Sequence, residues 1–265
     1  MRHMVQKCYA RVKATYMGER GRDVPEQYWS QFVCYRGASE VQYICGTMIP
    51  RTARRVLVIG VFGGRDYFFL KLRGHEVHAT ELAEVPGFDN LRVANVEEGL
   101  PYADGYFDAV VLSEVIEHLV DDGRALGHIR RVLADDGVLV LAVPFLHEAE
   151  VTHVRVHTRV SVERLVAHCG FDVVDVCERP GAGFYIPGVN LFNHAASAIA
   201  YMVAGRTVYD WTLPLLARFE RWAGGKRNPL RRISPYWGAH FLCRKSSTTP
   251  DRIGQNRAAF CARST

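Results

Sequence analysis

Two groups of residues in this sequence have types and spacing suited to chemistry. The first is VLVIGVFGGRD, Val56 to Asp66, an apolar run that enters a glycine-rich turn and leaves it as a helix. Glycines in such a turn let backbone N–H groups and the helix start approach a polar or anionic ligand. Glu81 lies about 20 residues beyond Gly60, at the end of the next apolar run, where a carboxylate can take both hydroxyls of a ribose. The second group is His118, His147, Glu148, His153 and His157, expected on loops near the ends of two later strands. Histidine suits proton transfer because its ordinary pKa of about 6.5 lets either form exist near neutrality. Each of these residues also has a plainer explanation, a packing turn, a surface acid or a loop histidine with local hydrogen bonds.

The dinucleotide fingerprint GxGxxG would need glycines two and five positions after Gly60, where Phe62 and Arg65 stand. A nicotinamide or flavin enzyme is therefore disfavoured.

These residues need a scaffold. From Arg55 to Glu178, short β-branched runs alternate with amphipathic stretches, which predicts βαβ units around a mostly parallel, doubly wound α/β sheet. The strands expected are Val56 to Val61, Glu76 to Glu81, Leu91 to Val96, Phe107 to Ser113, Val138 to Pro144 and Phe171 to Glu178, with a last strand from Tyr236 to Arg244. Their continuous apolar character fits a sheet covered on both faces. Ala125, Leu126, Ile129, Val132 and Leu133 fall at helical spacing, with Asp135, Asp136 and Gly137 expected to close that helix in a turn. Val162, Leu165, Val166 and Cys169 repeat the pattern, with Ser161 expected as cap and Gly170 as stop. Only AEVPGFDN separates the second strand from the third, too short for a crossover helix, so either the helix has shrunk to a turn or the third strand lies elsewhere.

NVEEGLPYADGYFDAVVLSEVIEHL, Asn95 to Leu119, is more specific: a polar residue at a strand end, Leu-Pro-aromatic, Phe-Asp opening a strand, and Glu-His after it. With IRRVLADDGVLVLAVPF and THVRVHTRVSVERLVAHCGFDVVDV, this ordered set resembles the class I S-adenosylmethionine-dependent methyltransferases, over roughly Val56 to Glu178 with a weaker echo in HFLCRK. The resemblance implies a Rossmann-like methyltransferase fold, S-adenosylmethionine as cofactor, and methyl transfer to a small-molecule acceptor whose methylated atom stays open. It implies that Gly60, Gly63 and Gly64 line the methionine part of the cofactor, that Glu81 holds the ribose hydroxyls with Leu82 against the adenine, that Asn95 accepts from the adenine amino group while Val96 packs on the ring, and that Ser113 sits beside the sulfonium. His153, on the loop resembling the family's substrate side, is the first choice of base, with His118 and His157 behind it. Two residues depart from the pattern: Val58 replaces an acid and Phe62 the second glycine. Asp66 either supplies the missing charge or completes the first turn of its helix. These departures motivate the alternative of a methyltransferase-like scaffold that has lost cofactor affinity. An open pocket requires Phe62 to turn away from the methionine part.

The organisation expected is an N-terminal helical segment over 1–50, a methyltransferase domain over 51–245 with a helical, lid-like insertion at about 190–224 before the last strand, and a disordered polar tail over 246–265. The chain has 265 residues, enough for one large domain with additions, and 48% of them are hydrophobic, enough to build a core. The net charge of +5 comes from scattered residues rather than a basic stripe, so no nucleic-acid partner is expected. The seven cysteines form no CxxC pair and no clustered spacing, which argues against a disulfide framework or a zinc site and for reduced thiols in a cytoplasm, and no metal is expected. The stretch from Leu191 to Ala204 is broken by Asn193, His194 and Ser197 and is too short to span a membrane. A homodimer through the apolar insertion is a possible assembly.

Overall fold

The computed structural model describes residues 44–61, 64–145, 152–179 and 238–247. Seven strands form one sheet: β1 (Arg55–Ile59), β2 (Glu76–Glu81), β3 (Leu91–Val93), β4 (Phe107–Ser113), β5 (Leu133–Pro144), β6 (Phe171–Arg179) and β7 (Gly238–Lys245). Three helices are interspersed, α1 (Arg65–Leu72), α2 (Asp122–Val132) and α3 (Arg159–His168). The spatial order is β3-β2-β1-β4-β5-β7-β6, parallel throughout except that β7 runs antiparallel to both β5 and β6. The expected doubly wound, mostly parallel sheet is what the chain builds.

Alternation within the strands explains their continuous apolar character. Leu57, Ile59, Val110, Leu112, Leu139 and Leu141 point into one core, with Ala125, Leu126, Ile129 and Val132 of α2 packed there. Val56, Val58, Ala109, Val111, Val138 and Val140 point into a second core with Tyr67, Phe68 and Leu70 of α1. A strand buried on both faces has no position left for a solvated side chain. Ile44, Cys45 and Met48, from a helical turn at 44–48, close the second core.

Several boundaries differ from expectation. The strand β1 ends at Ile59 because Gly60 leaves extended geometry at φ 75°, and β3 ends at Val93. No helix joins β2 to β3: turns bridge them, and β3 pairs parallel to β2 through Ala79–Leu91. The run Asp135–Gly137 does not close α2 in a turn. The helix stops at Val132 and Leu133 already pairs with Phe107, after which the register jumps to Ala109–Val138 and the intervening residues bulge out of β5. The cap of α3 is Thr158, not Ser161. The Thr158 hydroxyl accepts from Ser161 N at 3.1 Å while Ser161 Oγ accepts from Thr158 N at 2.8 Å, a reciprocal capping box in which Ser161 is the third residue. Gly170, at φ 79°, ends α3 as expected. Phe62, Gly63, His147, Glu148, the insertion at about 190–224, and most of the segments assigned to 1–50 and 246–265 lie outside the described residues.

Candidate active site

In an open parallel sheet, a crevice forms at the carboxyl edge where neighbouring strands send their connections to opposite faces. Here that point lies between β1 and β4, since the chain runs outward from β1 to β3 on one side and from β4 to β5 on the other. The residues after β1, β2 and β4 rim this crevice.

Gly60 turns the chain out of β1. Its N–H donates to Thr80 O at 3.0 Å, which sets the turn beside the end of β2 and so beside Glu81. A Cβ on Gly60 would come within 2.8 Å of Val115 Cγ2, on the connection leaving β4. Both the positive φ and the close approach therefore require glycine. Gly64 is the residue before α1, also left-handed at φ 70°, and a Cβ there would meet Phe68 Cε2 at 2.6 Å. Its need for glycine comes from the Phe68–Phe88 ring stack beneath it. Val58, where the family pattern has an acid, is fully buried in the α1-side core. Asp66 is buried in the first turn of α1.

Glu81 is half-buried, and its Oε2 accepts from Leu82 N at 3.0 Å. Leu82 is 72% exposed, an apolar wall at the rim. Asn95 organises the turn after β3. Its Oδ1 accepts from Glu97 N at 3.0 Å and its Nδ2 donates to Glu98 Oε1 at 3.0 Å. This engagement gives Asn95 a local structural role alongside any ligand contact. Val96 is buried in the α2-side core rather than presented at the rim. Ser113, the last residue of β4, is buried, and its hydroxyl has no hydrogen-bond partner among the described residues. Glu114 follows in a left-handed conformation at φ 53°, which is strained for a non-glycine residue.

The histidines gather on two connections at this edge. A 3₁₀ turn, Ile116–His118, follows β4, and residues 152–158 lead into α3. The two connections are tied together: Glu117 O accepts from Val154 N at 2.9 Å and from Arg155 N at 3.2 Å. Arg155 also donates to Val120 O at 2.7 Å and to Asp122 Oδ2 at 2.9 Å. His118 and His153, both half-buried, meet edge to face with ring centroids 4.7 Å apart. His157 is 4% exposed, beneath the loop, where its backbone bridges to Phe145. Burial holds its pKa below the usual 6.5, opposed by the nearby Asp122 carboxylate, so the neutral ring is favoured.

Much of the most specific motif proves to be scaffold. Leu100, Tyr102 and Phe107 fill the α2-side core, and Tyr102 OH donates to Ala79 O at 3.3 Å. Asp108, of the Phe-Asp pair, accepts from Arg54 N and Arg55 N at 2.7 and 2.8 Å and so fixes the start of β1, at the opposite edge from the crevice. The coupling of residues 152–155 to Glu117 is the feature that sequence reasoning missed. Arg155 within THVRVHT was its one visible signal, as a cation with a buried Asp122 as partner.

A family model described as a methyltransferase domain matches residues 59–141, from the end of β1 into β5. No curated protein matches the chain. Among solved structures, a methyltransferase dependent on S-adenosylmethionine from Archaeoglobus fulgidus is similar with a TM-score of 0.55 and 17% identity, covering 82% of this chain and 97% of that one. An S-adenosylmethionine-dependent methyltransferase from Thermotoga maritima has a TM-score of 0.51 and 17% identity, over 89% of this chain and 99% of that one. The [4+2]-cyclase SpnF has a TM-score of 0.53 and 16% identity, over 79% and 82%. At these identities the likeness establishes the fold alone, and a cyclase among the neighbours illustrates that one fold carries more than one reaction. Among the described residues no helix is long and apolar enough to cross a membrane. The stretch from the end of β1 through the Gly60 turn and into β5 is thus similar to a methyltransferase domain, on a sheet of the order β3-β2-β1-β4-β5-β7-β6.

Proposed function

We propose that the chain transfers a methyl group from S-adenosylmethionine to a small-molecule acceptor. The observation that carries this reading is the bond from Gly60 N to Thr80 O, which sets a glycine turn beside Glu81 at the crevice where the sheet order reverses. A nucleoside lying along that edge would meet the Glu81 carboxylate with its ribose hydroxyls and the exposed Leu82 with its base. The methionine part would run along the Gly60 turn toward Gly64, and the sulfonium would lie near Ser113. Asn95 and Val96 would stand behind the adenine rather than grip it, since one is engaged in its own turn and the other is buried.

The sulfonium is itself a strong leaving group, so the protein's task is to align the acceptor in line with the methyl group and to exclude water. A base is needed only where the acceptor carries a proton. On this reading the acceptor would lie beside His118 and His153, both half-buried, which suits proton transfer. His157, buried and held neutral, would support the loop.

The test is thermal unfolding with S-adenosylmethionine, S-adenosylhomocysteine, adenosine and NAD at matched concentrations. The two sulfur ligands should raise Tm, by the equivalent of about 2.7 kcal/mol at a hundredfold excess over Kd, and NAD should not. Stabilisation by none of them at millimolar concentration would favour a scaffold that keeps the fold without the cofactor, the reading motivated by Val58 and Phe62.

A further inference from the structure

The connections that carry His118 and His153 hold a further arrangement. The side chains of Glu117, His118 and His153 each offer one potential ligand atom, and these atoms all lie within 4.8 Å of one another. Two features set this cluster apart from a chance meeting of polar groups.

The first is the orientation of His118. Its Nδ1 lies 3.1 Å from Thr152 O. A carbonyl oxygen only accepts, so Nδ1 carries the proton and donates, and in the neutral ring the lone pair is left on Nε2. That Nε2 faces Glu117 Oε1 at 3.8 Å, beyond hydrogen-bonding reach. An imidazole whose outer nitrogen is anchored to a backbone carbonyl is the usual arrangement around a metal, because the anchor fixes both tautomer and ring plane. In a tetrahedral site with bonds of about 2.1 Å, neighbouring ligand atoms are about 3.4 Å apart, so the 3.8 Å between His118 and Glu117 requires a slight contraction and the wider spacings, up to 4.8 Å, a larger one.

The second is burial and mounting. The Glu117 carboxylate is 2% exposed, and a carboxylate taken out of water is stabilised by a cation held close. The loop bearing His153 is clamped to the Glu117 carbonyl through Val154 N and Arg155 N, so residues from two connections are held in one geometry.

We propose that Glu117, His118 and His153 bind one divalent transition-metal ion, with zinc as the representative, at the acceptor end of the crevice. Two imidazoles and a carboxylate are the donor set of an open catalytic site, which keeps coordination positions for solvent or substrate. On the methyl-transfer reading, which this last step requires, those positions would take an acceptor hydroxyl. The cation lowers the hydroxyl's pKa and its proton leaves to solvent. The oxygen then forms the new C–O bond as the C–S bond breaks and its electron pair stays on sulfur. The expectation of no metal rested on cysteine spacing, which carries no information about ligands drawn from two loops.

The test uses the full chain, stripped with a chelator and titrated with Co²⁺, whose visible ligand-field bands report nitrogen and carboxylate coordination, followed by displacement with Zn²⁺. One equivalent of Co²⁺ should bind with visible bands that Zn²⁺ abolishes. Glu117→Gln, His118→Ala and His153→Ala should each weaken binding at least tenfold, with circular dichroism confirming that each variant is folded. His168→Ala, on the exposed end of α3, should leave binding unchanged. S-adenosylhomocysteine binding, measured separately on His153→Ala, should stay within about twofold of the parent, so that loss of the metal and loss of the cofactor are read independently. Absence of Co²⁺ binding below millimolar concentration, or equal binding by parent and all three ligand variants, would overturn the proposal.

Discussion

Substitution of Gly60 by alanine probes the turn on which the proposed cofactor site depends, and its cost can be worked from two separate contributions. The residue sits at φ 75°, a left-handed conformation that costs an L residue about 1–2 kcal/mol. The added methyl would also stand 2.8 Å from Val115 Cγ2, and Val115 is β-branched with few rotamers to retreat into. Relieving that overlap adds an overpacking cost of about 1–3 kcal/mol. Gly60→Ala should therefore lose about 2–5 kcal/mol in urea unfolding with an unchanged m-value. A double-mutant cycle separates the terms. Val115→Ala removes the opposing methyls, so Gly60→Ala made in that background should cost only the conformational share, about 1–2 kcal/mol, and the cycle should show a coupling of about 1–3 kcal/mol. Gly60→Ala costing under about 0.5 kcal/mol would refute the left-handed turn, and zero coupling to Val115 would refute the close approach of the two connections.

Three further outcomes follow from the geometry. Burial keeps the folded His157 pKa low, so its stabilising contribution is complete above the unfolded value near 6.5 and is lost as the pH falls below it; Tm should drop from about pH 7 to pH 5, and His157→Asn should flatten the slope, whereas equal slopes would contradict the assignment. Arg155→Ala leaves the Asp122 carboxylate, 7% exposed, without its cation, but Arg155 itself is 46% exposed, so the loss should be about 1–3 kcal/mol, below that of a fully buried pair, with faster amide exchange at Val154; unchanged exchange would show that the loop is held otherwise. Burial raises the thiols of Cys169 to about 11 and Cys243 to about 12, so neither should be alkylated in the native protein near neutral pH, and peptide mapping that finds Cys243 labelled before unfolding would contradict its burial.

What the sequence made legible was whatever repeats along the chain. The β-branched runs read as strands because both faces of this sheet are covered, and the periodic positions Ala125, Leu126, Ile129 and Val132 all face the core. Punctuation was less reliable. Asp135–Gly137 looks like a helix stop, yet the pairing of Leu133 with Phe107 draws those residues into a strand bulge. Ser161 looks like a cap, but the loop's anchoring to Glu117 and Phe145 lets Thr158 take that place. The resemblance to a methyltransferase domain is carried in part by Leu100, Tyr102, Phe107 and Asp108, whose work is packing and strand alignment. The cluster of Glu117, His118 and His153 was hidden because backbone bonds between two connections bring these residues together, and such bonds leave no trace in residue spacing.

The proposed place of S-adenosylmethionine is the crevice between β1 and β4, with its ribose on Glu81. Isothermal titration of S-adenosylhomocysteine into the parent and into Glu81→Ala tests it most directly. A charge-assisted hydrogen-bond pair to the ribose is worth about 1.5–3 kcal/mol, so the parent should bind one equivalent more tightly than millimolar and the folded variant about ten- to a hundredfold more weakly. Binding of equal strength in both proteins would place the ribose elsewhere, and a parent that binds no tighter than millimolar would contradict the cofactor site altogether.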